Sequence, residues 1–218
     1  MGYFRELPNL QYLSPYTSRI SSTTYETAKN IFRRMKIRDD LKSVFSVFNK
    51  YEIDDGDRPD TVARDLYGKS NLDWVVLITA NIINVRDEWP MSDKDVYNFT
   101  VSKYGLENVN NIKHYETRQI KNSRGVIVLR SGEIVGADFS VSYYDGKDIT
   151  TTQSNTVRGV TNLEYEVVEN QKKRSINILR REYLQQFLND IRNEMTYKRS
   201  SQFVNDKLIR TENTRITN

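Results

Sequence analysis

The sequence predicts an α+β fold, and three observations carry that prediction. Between Tyr51 and Ile83 a short apolar strand passes through a Gly-Asp turn into two successive helical patterns. From about residue 106 the helical periodicity gives way to short β-prone runs separated by glycine turns. Toward the C-terminus an apolar residue at every fourth position describes one amphipathic helix.

The bulk properties set the bounds. The chain has 218 residues, enough for one compact domain or two small ones. Hydrophobic residues make up 37% and the mean hydropathy is −0.70, so much of the surface is polar or is covered by partners. The 14 Tyr and 2 Trp suit interfaces, because each joins apolar area to a polar tip; they serve equally as the edges of an ordinary core. A net charge of +4 permits an acidic partner without demanding nucleic acid. The absence of cysteine excludes disulfides and thiolate chemistry. No apolar run reaches the ~18 residues of a membrane helix, and the first residues lack a signal-peptide core. Met1-Gly2 is followed by Glu6, which does not fit a myristoylation motif.

Residues 1–43 are expected to form an N-terminal arm and a helix. Tyr3, Phe4, Leu7, Leu10, Tyr12 and Leu13 make the arm too apolar for a free tail. It packs on its own fold or on a neighbouring subunit. Tyr25, Ala28, Ile31, Phe32 and Met35 carry helical spacing over 24–42, with a basic cluster at Arg33, Arg34, Lys36 and Arg38. That cluster is a solvated face or a docking patch for an acidic surface.

Residues 44–105 form the predicted core with a third helix. The β-prone run over 43–53 feeds a turn at Asp54–Asp57, where Gly56 supplies backbone freedom. Asp57 is the expected cap and Pro59 the first turn of a helix that stops at Gly68. Val62, Ala63, Leu66 and Tyr67 mark its apolar face. Asn71 is the expected cap of a second helix from Leu72 to about Ile83, apolar on most sides and therefore buried. Ser92 caps a third helix that ends at Gly105, with Val96, Phe99 and Tyr104 inward.

Residues 106–156 are a small β-rich insertion and linker. Strands are expected at 113–118, 126–129, 134–135 and 139–144, with Ser131-Gly132 closing a hairpin between 126–130 and 134–136. The polar run 147–156 reads as a loop. Residues 157–198 hold a strand and the C-terminal amphipathic helix. That helix starts near Ser175, with Leu179, Tyr183, Phe187, Ile191 and Met195 in one stripe. It packs on the body or completes a partner's groove. The tail, 199–218, is polar and expected to be flexible without a partner.

The segments YEIDDGDRP, TVARDLYG and LDWVVLITANI resemble the first three elements of a LysM module, a β-α-α-β unit that in many proteins binds N-acetylglucosamine polymers. The predicted fold class is thus α+β with a LysM-like β-α-α core, an N-terminal arm, a small β-rich insertion and a C-terminal amphipathic helix. The closing strand is not evident where the module would place it, since Asn84 to Trp89 is charged. The ordered set YFRELPNLQYLS, RMKIRDDL, DRPDTVARDLYG, LDWVVLITANI, WPMS, KYG and NLEYEVVENQKKRSINIL is similar to the small baseplate wedge proteins of contractile-tailed bacteriophages, over roughly Tyr3 to Met195. That resemblance implies a structural protein of the virion tail, assembled in the host cytoplasm. It implies partners among other wedge proteins, namely a larger wedge-core protein and a sheath-initiating wedge protein, in a hetero-oligomeric ring, with no nucleic acid and no membrane. The residues whose character suits protein contacts are Tyr3, Phe4, Leu7 and Tyr12 in the arm, and Tyr183, Phe187 and Ile191 in the last helix.

The alternative is a glycan-binding LysM module. Its site would lie at Gly56, Asp57, Arg58, Asn81, Ile82 and Ile83, where the first turn meets the end of the second helix. A third option, a basic nucleic-acid binder, lacks a reading helix or an aromatic platform. No catalysis, cofactor or metal is expected. His114 is the single histidine, whereas triads need a positioned imidazole and metal sites usually take several ligands. Asp54, Asp55, Asp57 and Asp60 miss the calcium-loop spacing and fit a turn and helix start.

Overall fold

The computed structural model describes residues 2–14, 25–37, 46–146, 148–152 and 155–212. The fold is α+β, 36% helical and 27% strand. In chain order the helices are α1 (Tyr3–Glu6), α2 (Pro59–Tyr67), α3 (Asp73–Thr79), α4 (Val85–Glu88), α5 (Asp93–Tyr104), α6 (Asn162–Arg174) and α7 (Leu184–Glu194). The strands are β1 (Asn9–Leu13), β2 (Tyr25–Lys29), β3 (Phe48–Glu52), β4 (Ile112–Thr117), β5 (Ile120–Lys121), β6 (Ile127–Leu129), β7 (Ile134–Val135), β8 (Val141–Tyr144), β9 (Ile149–Thr152), β10 (Val157–Thr161), β11 (Ser175–Leu179), β12 (Phe203–Asn205) and β13 (Leu208–Arg210). These divide into a split unit, Met1–Trp89 with Ser175–Asn218, and an inserted unit, Pro90–Arg174. The boundary falls inside the 44–105 segment that the sequence suggested as one core, and α5 lies with the insertion.

The split unit is organised by β3 and β11, which pair antiparallel from Glu52 opposite Ser175 to Phe48 opposite Leu179. The chain leaves β3 through a turn at Asp54–Asp57, where Gly56 has a φ of 78°. The residue before Pro59 is Arg58, in extended backbone, and no side chain caps the helix. The expected cap at Asp57 is therefore displaced by one residue, and Pro59, which has no N–H to satisfy, starts the helix. Gly68 ends α2 in the left-handed region (φ 74°), its N–H bonded to the Arg64 carbonyl. Asn71 does not cap α3 either. It lies inside a single 3₁₀ turn, Ser70–Leu72, that leads directly into that helix.

Val62, Ala63, Val75 and Val76 are fully buried, and Tyr67, Leu72, Trp74 and Ile78 nearly so. They meet Ile176, Ile178 and Leu179 from β11 in one cluster. Each such aliphatic side chain contributes about 1.5–3 kcal/mol by leaving water. The Tyr67 hydroxyl donates to the Leu179 carbonyl at 2.8 Å, tying α2 to β11. Burial raises its pKa well above the ordinary tyrosine value.

The two ends of the chain form one sheet, in the order β12-β13-β1-β2. β1 runs antiparallel to β2 and parallel to β13. Two expectations are overturned here. The helix expected over 24–42 is a strand at Tyr25–Lys29, and Ile31 and Phe32, placed at helical spacing in that pattern, are 64% and 88% exposed. Five successive pairings with β1 outweigh the helical spacing of a few apolar residues; residues 38–42 lie outside the described residues. The segment expected to be a flexible tail holds β12 and β13, which are taken into this sheet; residues 213–218 lie outside the described residues.

The inserted unit packs α5 on α6 beside the sheet β10-β4-β7. Its core is unusually polar. Along α6 the buried residues are Asn162, Glu166, Asn170 and Arg174, each four positions apart and so on one face. Every one has a partner. Asn162 Nδ2 donates to the Asn108 carbonyl (2.8 Å), Glu166 accepts from Lys103 and Tyr104 (2.8 Å each), and Arg174 donates to Asp93 (3.2 Å). Asn170 bonds both main-chain groups of Met91, accepting from N–H at 2.8 Å and donating to C=O at 2.9 Å. This polar face accounts for a further correction. α5 turns Val96 and Thr100 inward, whereas Phe99 is 40% exposed under the Lys103 side chain.

Ser92 caps α5 as expected, accepting from the Asp95 N–H. The expected hairpin between 126–130 and 134–136 does not form. β6 pairs with β5 and β7 with β4, because Gly132 and Glu133 bond back to Thr117 rather than closing on Val126–Arg130. The expected loop at 147–156 contains β9, paired with β8. The helix expected from Ser175 is preceded by a different one. α6 ends at Arg174, the next five residues are β11, and the helix proper begins at Leu184.

Candidate subunit interface

The residues singled out for contacts fall into two segments, and the structure brings the two together. α1 and α7 meet across Trp74 on α3. The Tyr3 ring lies 5.7 Å from the Trp74 ring, which stacks with Phe187 at 6.4 Å. Arg192 on α7 closes the arrangement by donating to Glu6 on α1, at 3.0 and 3.4 Å. Burial raises the Tyr3 hydroxyl pKa, and the positive charge of Arg34 partly opposes the rise. The arm thus packs on its own fold. Leu7 and Ile191 are 2% and 1% exposed, which makes them core residues rather than contact surface. Tyr3, Tyr183 and Phe187 pack against the core while half-buried. Phe4 and Tyr12 remain exposed at 65% and 36%.

Sequence reasoning missed Ile31 and Phe32, which lie in the turn after β2. The signal available was Asn30, a turn former just before them; its side chain accepts from the Phe32 N–H. It also misjudged Arg33. The guanidinium donates to the carbonyls of Glu194 (3.0 Å), Met195 (3.4 Å) and Thr196 (3.1 Å), satisfying the C-terminal end of α7, and lies over the Tyr197 ring. It is neither a free docking cation nor part of a solvated helix face.

The residues of the alternative glycan site fall in two segments, the turn before α2 and the end of α3. The Trp89 indole donates to the Asp57 carbonyl at 2.8 Å, which ties the first turn to the chain after α3. Arg58 pairs with Asp60 at 3.1 Å. Asn81 sits at a φ of 60° where α3 ends, Ile82 is half-buried, and Ile83 is 66% exposed.

His114 is held in the inserted unit by Glu116 at 3.0 Å and by the edge of Tyr165. Beside it Lys113 stands 3.4 Å from the Tyr165 ring centre, a close cation–π contact. Among the described residues no three His, Asp or Glu side chains are grouped to hold a metal. Burial alone would raise the Glu166 pKa. The hydrogen bonds from Lys103 and Tyr104 outweigh it and hold the carboxyl below its ordinary value, while the same contact raises Lys103.

The lowered carboxyl stabilises the fold above the unfolded value of about 4.3, and that stabilisation disappears as pH falls through the folded value. The raised ammonium contributes below its unfolded value of about 10.4, so the pair is intact across neutral pH. Glu166→Gln is expected to cost about 1–2 kcal/mol at pH 7, a range already reduced for screening at the half-exposed Lys103. Thermal melts against pH would check this, with variant and parent converging in acid. A gap that persisted well below pH 4 would contradict it.

The geometry is that of a scaffold with ordered arms, and comparison with known proteins defines the class as structural components of the phage baseplate. The chain belongs to the base plate wedge protein 53 family, matched over residues 4–193. No curated protein matches it. The family locates the chain in the virion tail, in association with other baseplate proteins, and makes it a structural protein.

Proposed function

We propose that the protein clamps neighbouring wedge subunits during baseplate assembly. A LysM-like block of β3, α2, α3 and β11 acts as the rigid body. The observation that carries the reading is the joining of α1 and α7 across Trp74, with Phe4 and Phe32 left 65% and 88% exposed. Large exposed aromatics on a fixed frame are what an interface anchor requires. The larger wedge-core protein and the sheath-initiating wedge protein are the proposed partners. The order β3-α2-α3-β11 also keeps the glycan-binding alternative testable, because β11 supplies a closing strand.

The test is size-exclusion with light scattering on the protein alone and co-expressed with the other wedge proteins of its tail, with a chito-oligosaccharide titration in parallel. A stoichiometric complex is expected, weakened at least tenfold, or about 1.4 kcal/mol, by Phe4→Ser with Phe32→Ser. Micromolar sugar binding without any complex would replace this reading by the glycan-binding one.

A further inference from the structure

A cavity of about 390 Å³ opens in the split unit between α1, the end of β2, the C-terminal end of α7 and the β12–β13 turn. Its apolar part is Leu7, Pro8 and Met195, all buried. Its charged part is one carboxylate, Glu6, and four cations: Arg5, Lys29, Arg192 and Lys207. Glu6 is already neutralised by Arg192 at 3.0 Å. Lys29 spends one donor on the Leu7 carbonyl at 2.9 Å. Arg5 and Lys207 have no acidic side chain within ion-pair distance among the described residues.

Chain segments far apart in sequence therefore converge three cations on one concavity whose only acid is occupied. Of the chain's 33 basic and 29 acidic residues, four and one line the cavity, so the charges outside it nearly balance at 29 against 28. A concentration of like charge against a low-dielectric floor is costly in isolation and favourable once a counter-charge enters.

We propose that this cavity receives carboxylate side chains from an acidic segment of a neighbouring protein. A carboxylate suits the site because its charge can meet the Arg5 fork and the two ammonium groups. Its methylene stem can then lie on Pro8 and Met195. A nucleic-acid backbone would need an extended track of cations rather than one local concavity. The identity of the neighbour as a baseplate protein rests on the function proposed above; the chemistry of the cavity does not.

The probes are a hexaglutamate peptide and inorganic phosphate, titrated into the full chain at low salt. Hexaglutamate is expected to bind, to weaken as salt rises, and to weaken at least tenfold in the double variant Arg5→Glu with Lys207→Glu. Both side chains are exposed, and an unchanged thermal melt confirms the fold. The reversal Lys50→Glu with Lys69→Glu makes the same change in net charge at two exposed positions of the split unit that do not line the cavity, and is expected to leave at least half of the affinity. Equal loss in the two double variants would overturn the site, leaving a general charge effect. Phosphate binding as tightly as the peptide would overturn the acidic-segment assignment. Peptide binding by a chain that joins no wedge complex would support the cavity while sinking the clamp.

Discussion

Replacing Trp74 by alanine is expected to destabilise the split unit by about 3–5 kcal/mol, the range for removing a large aromatic from a packed core. The residue is 5% exposed. Its ring is the surface on which Tyr3 and Phe187 rest, from opposite ends of the chain. Truncation leaves a void and removes the surface that α1 and α7 share on α3, leaving the Arg192–Glu6 pair, whose side chains are 36% and 8% exposed, to link them. With stabilities of small domains at 5–15 kcal/mol, the loss is a large fraction of the whole. Denaturant unfolding followed at Trp89, the other indole, would measure it. Trp74→Phe is expected to recover more than half. A loss under about 1 kcal/mol for the alanine variant would mean that the two ends are held elsewhere.

The second large effect is expected in the inserted unit. Asn170→Ala removes both hydrogen bonds to the Met91 main chain. The side chain is 2% exposed, so water does not freely replace what it provided. Loss of two bonds with their main-chain partners left unsatisfied costs about 2–4 kcal/mol. Both tryptophans lie in the split unit, so indole fluorescence is blind to this change. Hydrogen exchange reads it instead. Amides of α5 and α6 are expected to exchange faster while those of α2 and α3 keep their protection. Uniform acceleration through the chain would show that the two units unfold together. Asn170→Asp keeps the size and an acceptor for the Met91 N–H but turns a buried carboxylate oxygen toward the Met91 carbonyl, so a loss at least as large as alanine's is expected at neutral pH.

What the sequence made legible was what is encoded locally. Pro59 and Gly68 bound α2, and Ser92 and Gly105 bound α5, because a missing N–H, a positive φ and a side-chain cap act within one turn. What it hid depends on distant partners. β11 lies between two helices with no glycine or proline at either boundary, and Leu179 continues the four-residue stripe of α7. The signal was the alternation of Ser175, Ile176, Asn177 and Ile178, exposed and buried in turn. Four residues of alternation lost to a longer helical pattern. The buried face of α6 was hidden for another reason. No helix was expected over 162–174, since polar residues four apart give no apolar stripe, and only the partners supplied by α5 and its flanks make the burial of Asn162, Glu166, Asn170 and Arg174 tolerable. The candidate interface was half legible. Aromatic content marked α1 and α7, yet nothing local announced that Trp74 joins them, and the one local sign that Phe32 lies in a turn was Asn30.

The insertion between β3 and β11 has a consequence for how the molecule is made. Roughly 120 residues separate the two strands, so at about 5–20 residues per second the ribosome delivers β11 some 6–24 s after β3. Throughout that interval β3 has neither its ladder partner nor the Ile176 and Ile178 side chains that cover its helices. The inserted unit, continuous from Pro90 to Arg174, is complete first and can settle on the nascent chain. The sheet β12-β13-β1-β2 closes later than the pairing of β3 with β11, because β1 waits for β13 at Leu208–Arg210. The insertion is thus finished before the unit whose sequence it interrupts.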